Sequence, residues 1–371
     1  MTLTVEPIAS NRELASLEGA WRALTSRSAR PNPFLTWEWV FTWWEFFGSA
    51  LELWILAAYE ESNRELVGLA PLVLRRFPDP RRGPYRELSV LGSNAVAPDH
   101  LDAVAADGFQ AQVNSAFASY IGERGRWDTF RLHGLRSDSF LIDLMREEGG
   151  RPRSLVWDSV CPFVSLPSSW EEYESSLDRK VRYNLRSRSR RLEKDADKQV
   201  SFQSVASNSE VEDAMSELFR LHQQIRERRR TKGAFGDSLV SDFHRRVAKR
   251  FSENGWLRLY LLRVRGDAIA AVYSFRYRDV VYFYQTGYDP AWAKYGPGSA
   301  IVAHSIRSSI EEGAHEFDFL RGNEPYKFQW TRQVRKDFRG WLSHSVRGSV
   351  LIAGYRLGLN ARRALQRMKT G

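Results

Sequence analysis

Three extended runs joined by minimal turns constrain the fold more than any other feature of the sequence. Trp256 to Arg265, Ala268 to Arg278 and Val280 to Gly287 follow one another with turn-like junctions at Gly266-Asp267 and Arg278-Asp279. Alternation such as Leu257, Leu259 and Leu261 gives each run one face to bury, so the three predict an antiparallel meander. The pattern then changes period. From Ser299 to Gly313, Ile301, Val302, Ser305, Ile306, Ser309 and Ile310 recur at helical spacing, Gly313 is a stop signal, and His315 to Phe319 reads as a short strand. A meander followed by a helix and a returning strand predicts an α/β (α+β) domain: a mixed, mostly antiparallel sheet flanked by helices.

The remainder is expected to hold a second unit of similar order. Ala20 to Phe47 is helical in pattern, with Phe34, Trp37, Phe41 and Trp44 at spacings of three and four. That stripe lacks the Lys/Arg-rich polar face of a membrane-surface helix and is assigned to core. Leu51 to Glu60 and Glu65 to Arg75 read as a hairpin, followed by a Pro/Arg/Gly loop from Phe77 to Tyr85. A strand Glu87 to Leu91, a helix Phe109 to Gly122, a strand Asp128 to His133 and a helix Phe140 to Glu148 complete this half. Gly149 to Ser169 is rich in Pro, Gly and Ser, holds two short extended pieces, and marks the boundary. The expected domains are therefore 1–160 and 161–348, with a basic helix over 349–371. Within the second, helices are expected over Trp170 to Lys194, Glu210 to Arg230, Asp237 to Phe251 and Tyr326 to Arg335, and a last strand over Gly340 to Val346. No fixed-period repeat is visible.

Composition excludes several function classes. With 371 residues, 43% hydrophobic and 27% charged, the chain supports a globular core. Its longest apolar runs are broken by charge well short of a spanning helix, and Met1 to Ala20 carries Glu6, Arg12, Glu13 and Glu18 rather than a leader pattern, so a cytoplasmic protein without integral membrane association is expected. The single cysteine, Cys161, forms no internal disulfide or cysteine-based zinc site. The histidines show neither His-x-x-x-His nor His-Glu-x-x-His, so no metal is expected, and no Gly-x-Ser-x-Gly elbow is present. A formal net charge of +10 favours anionic partners. Nine of the 55 cationic side chains are Lys, all at or after Lys180, and an arginine excess also follows from base composition.

The basic charge concentrates in two helical runs. Arg179, Lys180, Arg182, Arg186, Arg188, Arg190, Arg191 and Lys194 form the first, and Arg226, Arg228, Arg229 and Arg230 the second. Both suit phosphates, and both equally suit a solvated face, since Leu177, Val181, Leu185 and Leu192 supply an inner stripe. Chemistry is most legible from Val281 to Trp330. Lys294-Tyr295-Gly296-Pro297-Gly298-Ser299 opens a helix whose unpaired N–H groups and positive dipole end suit a pyrophosphate. Gly298 permits close approach, Ser299 is a candidate cap, and Lys294 adds positive charge; a plain turn is the other reading. The loop is neither a dinucleotide fingerprint nor a Walker loop. Asp318-Phe319-Leu320-Arg321-Gly322-Asn323-Glu324-Pro325-Tyr326-Lys327, with Trp330 beyond, concentrates opposite charges at a strand end: an ion-pair knot or a substrate cleft.

The order "YFYQTGYDPAWAKYGPGSAIVAHSIRSSIEEGAHEFDFLRGNEPYKFQW" resembles the C-terminal signature of the CelD-like acyltransferases, a branch of the GNAT superfamily related to Fem-type transferases. "NPFLTWEWVFTWW", "LVGLAPLVLRR", "SWEEYESSLDRKVRYNLRSRSRRLEK" and "LFRLHQQIRER" resemble that family's opening helix, first hairpin, basic helix and His-bearing helix. Lys-Tyr-Gly-Pro-Gly departs from the superfamily's Arg/Gln-x-x-Gly-x-Gly/Ala loop. The resemblance implies two tandem GNAT-like halves, with an acyl-CoA site in the second where the strand Val280 to Gly287 splays from His315 to Phe319. It implies acetyl-CoA or another acyl-CoA as co-substrate, held by Thr286, Gly287, Lys294, Gly296, Gly298 and Ser299. Tyr284, Arg321 and Trp330 would line the acceptor. Asp318 is the first candidate base, followed by Glu324 and His222, with Tyr326 protonating the leaving sulfur and Lys327 and Arg321 meeting an anionic acceptor or the oxyanion. His222 also reads as a satisfied helix histidine.

Three functions are consistent with these features. The first is acyl transfer from acyl-CoA to an amine or hydroxyl of a small-molecule or saccharide acceptor. The second is Fem-like transfer from an aminoacyl-tRNA, suggested by the basic runs. The third is a catalytically silent binding module on the same fold.

Overall fold

The structure is a computed structural model, and it describes residues 2–354 except 79–83, 93–95, 126, 148–152, 206 and 229–232. Internal contacts divide the chain into two units, one of Met1–Asp158 with Lys336–Gly371 and one of Ser159–Arg335.

In the first unit, strands β1 (Leu3–Ile8), β2 (Glu52–Leu53), β3 (Ile55–Glu60), β4 (Leu66–Ala70), β5 (Leu72–Phe77), β6 (Tyr85–Val90), β7 (Val104–Ala105) and β8 (Thr129–Arg136) alternate with helices α1 (Asn11–Ser16), α2 (Glu18–Ser26), α3 (Trp37–Phe47), α4 (Gln110–Glu123) and α5 (Phe140–Glu147). The expected hairpin is present as β3 against β4, antiparallel. The helix expected over Ala20 to Phe47 is two helices parted by a single 3-10 turn, Pro33–Leu35, because Asn32 and Thr36 each cap a new start. The aromatic stripe is core at Phe34 and Trp37. The deepest face of α3, however, is Trp39, Val40 and Trp43, one position round from the residues the spacing singled out. Asp102 accepts from the N–H groups of Phe140 (2.9 Å) and Leu141 (3.0 Å) and from the Ser139 hydroxyl (2.9 Å), pinning the start of α5. Burial pushes its carboxyl up to about 6.

The segment expected to hold two short extended pieces is one long strand, β9 (Arg153–Ser165), whose Phe163–Ser165 end belongs to the second unit and pairs within its sheet. There, α6 (Trp170–Ser176), α7 (Arg179–Asp195), β10 (Val200–Ser204), α8 (Asn208–Arg228), α9 (Ser238–Glu253), β11 (Leu257–Val264), β12 (Asp267–Tyr277), β13 (Val280–Tyr288), α10 (Pro297–Glu311) and β14 (Glu316–Asp318) follow in order. The strand order is β10-β11-β12-β13-β14-β9. The meander β11-β12-β13 is antiparallel throughout, and α10 carries the chain across so that β14 runs parallel to β13. Ala270, Val272 and Phe283 point into a core shared with α10 (Ile301, Val302, Ile306) and with Tyr173, Leu177 and Leu192 of the α6–α7 region. Tyr273 and Tyr284, on the other face, meet α9 through His244.

Two elements differ from expectation. Tyr326 to Arg335 is not a helix but a 3-10 turn, Lys327–Gln329, leading into β15 (Val334–Ser343), so the last strand starts and ends earlier than Gly340 to Val346. Helical structure in that segment stops at Lys327–Gln329, and the Asp337–Ser343 part of β15 pairs with β8. Residues 346–354 are helical, and the rest of the expected C-terminal basic helix lies outside the described residues.

Candidate active site

The site begins where two strands part. β13 pairs with β14 only from Val280 to Tyr282, because β14 ends at Asp318. Asp318 itself ends it: its Oδ1 accepts the Leu320 N–H (2.7 Å), and Leu320 takes a left-handed φ of 57° that turns the chain away. Beyond Tyr282, β13 keeps β12 on one side and has no strand on the other among the described residues.

Alternation decides which N–H groups face the open side. The register places Val272 opposite Thr286, Ala271 opposite Gly287 and Ala270 opposite Tyr288, and the Asp289 N–H donates to Ile269 O at 2.9 Å. Opposed residues of an antiparallel pair alternate between mutual hydrogen bonding and facing away, so Gly287 is turned to β12 like Asp289, and Thr286 and Tyr288 project their N–H groups outward. The expectation that Thr286 and Gly287 both serve a carbonyl therefore narrows to Thr286. A β-bulge just before, with Tyr273 opposite Gln285 and Ser274 opposite Phe283, leaves Tyr284 unopposed. The Gln285 side chain folds onto the open edge, its Oε1 accepting the Thr286 N–H at 3.2 Å.

The turn ahead of α10 is built as expected in outline and differs in detail. Gly296 is the N-cap with φ 64°, Pro297 takes the first helical position, and no side chain caps the helix, so Ser299 does not cap it. The N–H groups of Ser299 and Ala300 both go to Gly296 O (3.0 and 3.1 Å). Pro297 has none to give, so the Gly298 N–H is the one left at this helix start. Arg188 of α7 lies across the turn: a Cβ added at Gly296 would sit 2.9 Å from its Nη1. Val181, Leu185, Arg188, Gly296, Ser299 and Trp330 enclose a void of ≈30 Å3, room for a water or a small anion while Arg188 stays in place. Lys294 is exposed and lies over the Tyr295 ring at 4.7 Å. Among the described residues, neither Arg188 nor Lys294 has a carboxylate within ion-pair distance, so the turn carries uncompensated positive charge.

The 318–330 loop is tied to itself. Asp318 is fully buried, and its Oδ2 meets Arg335 Nη1 at 3.2 Å, while Arg335 also reaches Glu316 (2.7 Å) and lies over the Phe163 ring. Burial opposes the Arg335 charge, but Glu316 and Asp318 outweigh it and hold the guanidinium above its ordinary range. Lys327 is buried as well. Its Nζ donates to the carbonyls of Arg321 (2.7 Å) and Leu320 (3.3 Å) and pairs with exposed Glu324 (3.1 Å). Arg321 is half-buried in the same loop. Half-buried Tyr326 places its ring 6.5 Å from Phe283, and buried Trp330 accepts the Tyr173 hydroxyl at its carbonyl (2.8 Å).

On the opposite face, α8 crosses β13 at Gly287. A Cβ there would lie 2.5 Å from His222 N. The His222 ring is buried, and its Nε2 accepts from Arg226 Nε at 3.4 Å. Burial, then the Arg226 charge, lowers it to about 4, so it is neutral at neutral pH. Tyr284 shares a hydrogen bond with His244 Nε2 (3.2 Å), whose imidazole burial lowers to about 3.

Sequence reasoning placed Gly296, Gly298 and Ser299 at one turn, and Asp318, Arg321, Glu324 and Lys327 in one loop. It missed Gln285 and Arg188 as neighbours of the site. Gln285 was visible only as the one carboxamide in a strand of aromatic and β-branched residues and one glycine, and Arg188 as one cation in a run of eight. Arg229 and Arg230 lie outside the described residues. Among the described residues, no group of three or more His, Cys, Asp or Glu is placed to hold a metal, and no helix is long and apolar enough to cross a membrane.

Comparison with known proteins fits this geometry. Residues 179–328, from α7 through the tied loop, match the family described as Acetyltransferase (GNAT) domain. This part of the chain matches a GNAT-type acetyltransferase domain, a class of enzyme. The structure of FemX superposes with a TM-score of 0.61 at 11% identity, covering 91% of this chain and 97% of that one. A conserved protein of unknown function from Bacteroides thetaiotaomicron VPI-5482 gives 0.54 at 12% identity, over 92% and 100%. The C-terminal domain (DUF2156) of a putative lysylphosphatidylglycerol synthetase from Agrobacterium fabrum gives 0.52 at 10%, over 92% and 96%. At such identities the likeness is one of fold. No curated protein sequence matches the chain.

Proposed function

We propose that the enzyme moves an acyl group, acetyl or longer, from acyl-CoA to an amine or hydroxyl of a small-molecule or saccharide acceptor. The observation that carries this reading is the open edge of β13, where the Thr286 and Tyr288 N–H groups offer an extended, amide-bearing arm the pairing that a strand would otherwise supply. The residues at the α10 turn suit the other end of such a donor. The Gly298 N–H, the helix dipole, Lys294 and the flexible Arg188 side chain are aimed at negative charge, and Arg188 swings aside to admit a diphosphate.

The acceptor attacks the thioester carbonyl, whose oxygen gathers negative charge against the Thr286 N–H, and the thiolate leaves. Asp318, buried under Arg335 and holding the Leu320 N–H, shapes the fork and leaves proton removal to Glu324, the exposed carboxylate of the loop. Lys327 keeps the loop folded around Glu324, and Tyr326 stands as proton donor to the leaving sulfur. His222, with its lone pair turned to Arg226, positions α8 against Gly287. Tyr284, Arg321 and Trp330 border the acceptor.

Thiol release from acetyl-CoA against a panel of amines, amino sugars and sugar alcohols tests this; acceptor-dependent release is expected. No release, with no acyl-CoA binding by calorimetry, would overturn it.

A second reading, Fem-like transfer from an aminoacyl-tRNA, draws on α7. Arg179, Arg182, Arg186 and Arg190 line one groove; Arg186 pairs with Glu174, and the other three lack a carboxylate partner among the described residues. It requires RNA binding whose log affinity falls by about 0.7 to 0.9 per phosphate contact with log salt.

A further inference from the structure

We propose that the Gln285 carboxamide is a self-ligand: an internal carbonyl that occupies the Thr286 N–H until the carbonyl of the acyl donor displaces it. The proposal rests on the reading of the β13 edge as the donor site, and it adds a residue that sets how tightly and how selectively that site takes its donor.

Three observations converge. The Thr286 N–H faces away from β12 and past the end of β14, so no strand satisfies it. Its acceptor is instead a side-chain carbonyl from the preceding residue, at 3.2 Å. The bulge explains how that side chain gets there. In a regular strand Tyr284 and Gln285 would point to opposite faces. Here Gln285 is opposite Tyr273, and Tyr284 packs on Tyr273 and His244, so both emerge on the face covered by α8 and α9. On the α10 face, a polar carboxamide would have been sunk among Phe283, Ile301 and Val302. On its own face it reaches the edge and presents an amide oxygen, the same chemistry as a thioester carbonyl and a better acceptor. A half-buried N–H without an acceptor is costly, so the self-ligand keeps the empty edge stable. A donor gains from that N–H only the difference between its own carbonyl and that of Gln285. A ligand that lacks the acyl carbonyl has nothing to displace it with, so the device favours the acylated carrier only when the carbonyl is correctly placed.

The test uses the full chain and two probes: free CoA, and an acetyl-CoA analogue with a methylene in place of the thioester sulfur, which keeps the carbonyl and cannot transfer it. In Gln285→Ala the analogue is expected to bind about two- to ten-fold more tightly, the range that one net hydrogen bond spans, with CoA affinity unchanged. Without any donor present, the Thr286 amide is expected to exchange its hydrogen faster in Gln285→Ala. It stays protected in Gln285→Glu, which retains an acceptor oxygen. Unchanged Thr286 exchange in Gln285→Ala overturns the self-ligand. Equal gains for CoA and the analogue, or no gain for the analogue where the wild type binds it, overturn the displacement. Absence of binding to every variant would instead count against the acyl-CoA reading, and the exchange result would still decide whether Gln285 holds the edge.

Discussion

Gly287→Ala probes the seam on which the site is built. The added Cβ would lie 2.5 Å from His222 N, 2.8 Å from Leu221 C and 3.0 Å from His222 Cα. Ordinary contact starts near 3.4 Å, so α8 must withdraw from β13 by about 1 Å. All three obstructing atoms belong to the backbone of a helix, and no rotamer change relieves them. Overpacking of this kind costs about 1 to 3 kcal/mol, and the rigidity of the seam places the cost near the top of that range. At about 2 to 4 °C per kcal/mol for a unit of this size, Tm falls by roughly 6 to 12 °C. Differential scanning calorimetry measures it, with Gly19→Ala as the control, since nothing lies within 4 Å of a Cβ at that helical position. A Tm within about 2 °C of the wild type would refute the close packing of α8 on β13 and, with it, the placing of His222 beside the site.

Three further outcomes follow from the geometry. His222 and His244 are lowered to about 4 and about 3 from an unfolded value near 6.5, so their contribution to stability is complete above 6.5 and is lost as pH falls through that window. For His222 this amounts to ~3 kcal/mol by pH 4, and urea midpoints followed from pH 7 to 4 should fall less steeply in His222→Gln. Asp318→Asn should lower the unfolding free energy from urea titration by ~1 to 3 kcal/mol, since Arg335 keeps Glu316, while kcat falls less than about ten-fold; a loss of 10²-fold or more would make Asp318 the base after all. Arg188→Ala should weaken acyl-CoA binding about three- to thirty-fold and flatten its salt dependence by calorimetry, and an unchanged affinity would remove Arg188 from the phosphate end.

The meander and α10 were legible because their signals are local. Leu257, Leu259 and Leu261 alternate within one strand, and Ile301 through Ile310 keep one helical period. The fork was foreseen through the resemblance, yet the outward N–H groups depend on the bulge at Tyr284, which shifts the parity of everything after it and leaves no composition signal. For the same reason the sequence could not show that Gly287 faces β12 and packs directly under the α8 backbone, with a Cβ there 2.5 Å from His222 N. Arg188 was indistinguishable from its neighbours until α7 was seen to lie across Gly296. β10 escaped notice because Val200–Ser204 is a short strand with two exposed positions at its centre, and its partner β11 is more than 50 residues away. The base assignment went to Asp318 on proximity to a strand end. Burial and the pairing with Arg335 are tertiary facts, and they support the proposed role of Asp318 in holding the fork.

The central claim is tested most directly by a crystal structure with the methylene analogue of acetyl-CoA bound. The account predicts the carbonyl oxygen about 2.8 to 3.2 Å from Thr286 N, the arm running along Thr286 to Tyr288, and the Gln285 side chain rotated off the edge. An analogue bound elsewhere, or a carbonyl turned away from Thr286 with Gln285 still in place, would contradict it.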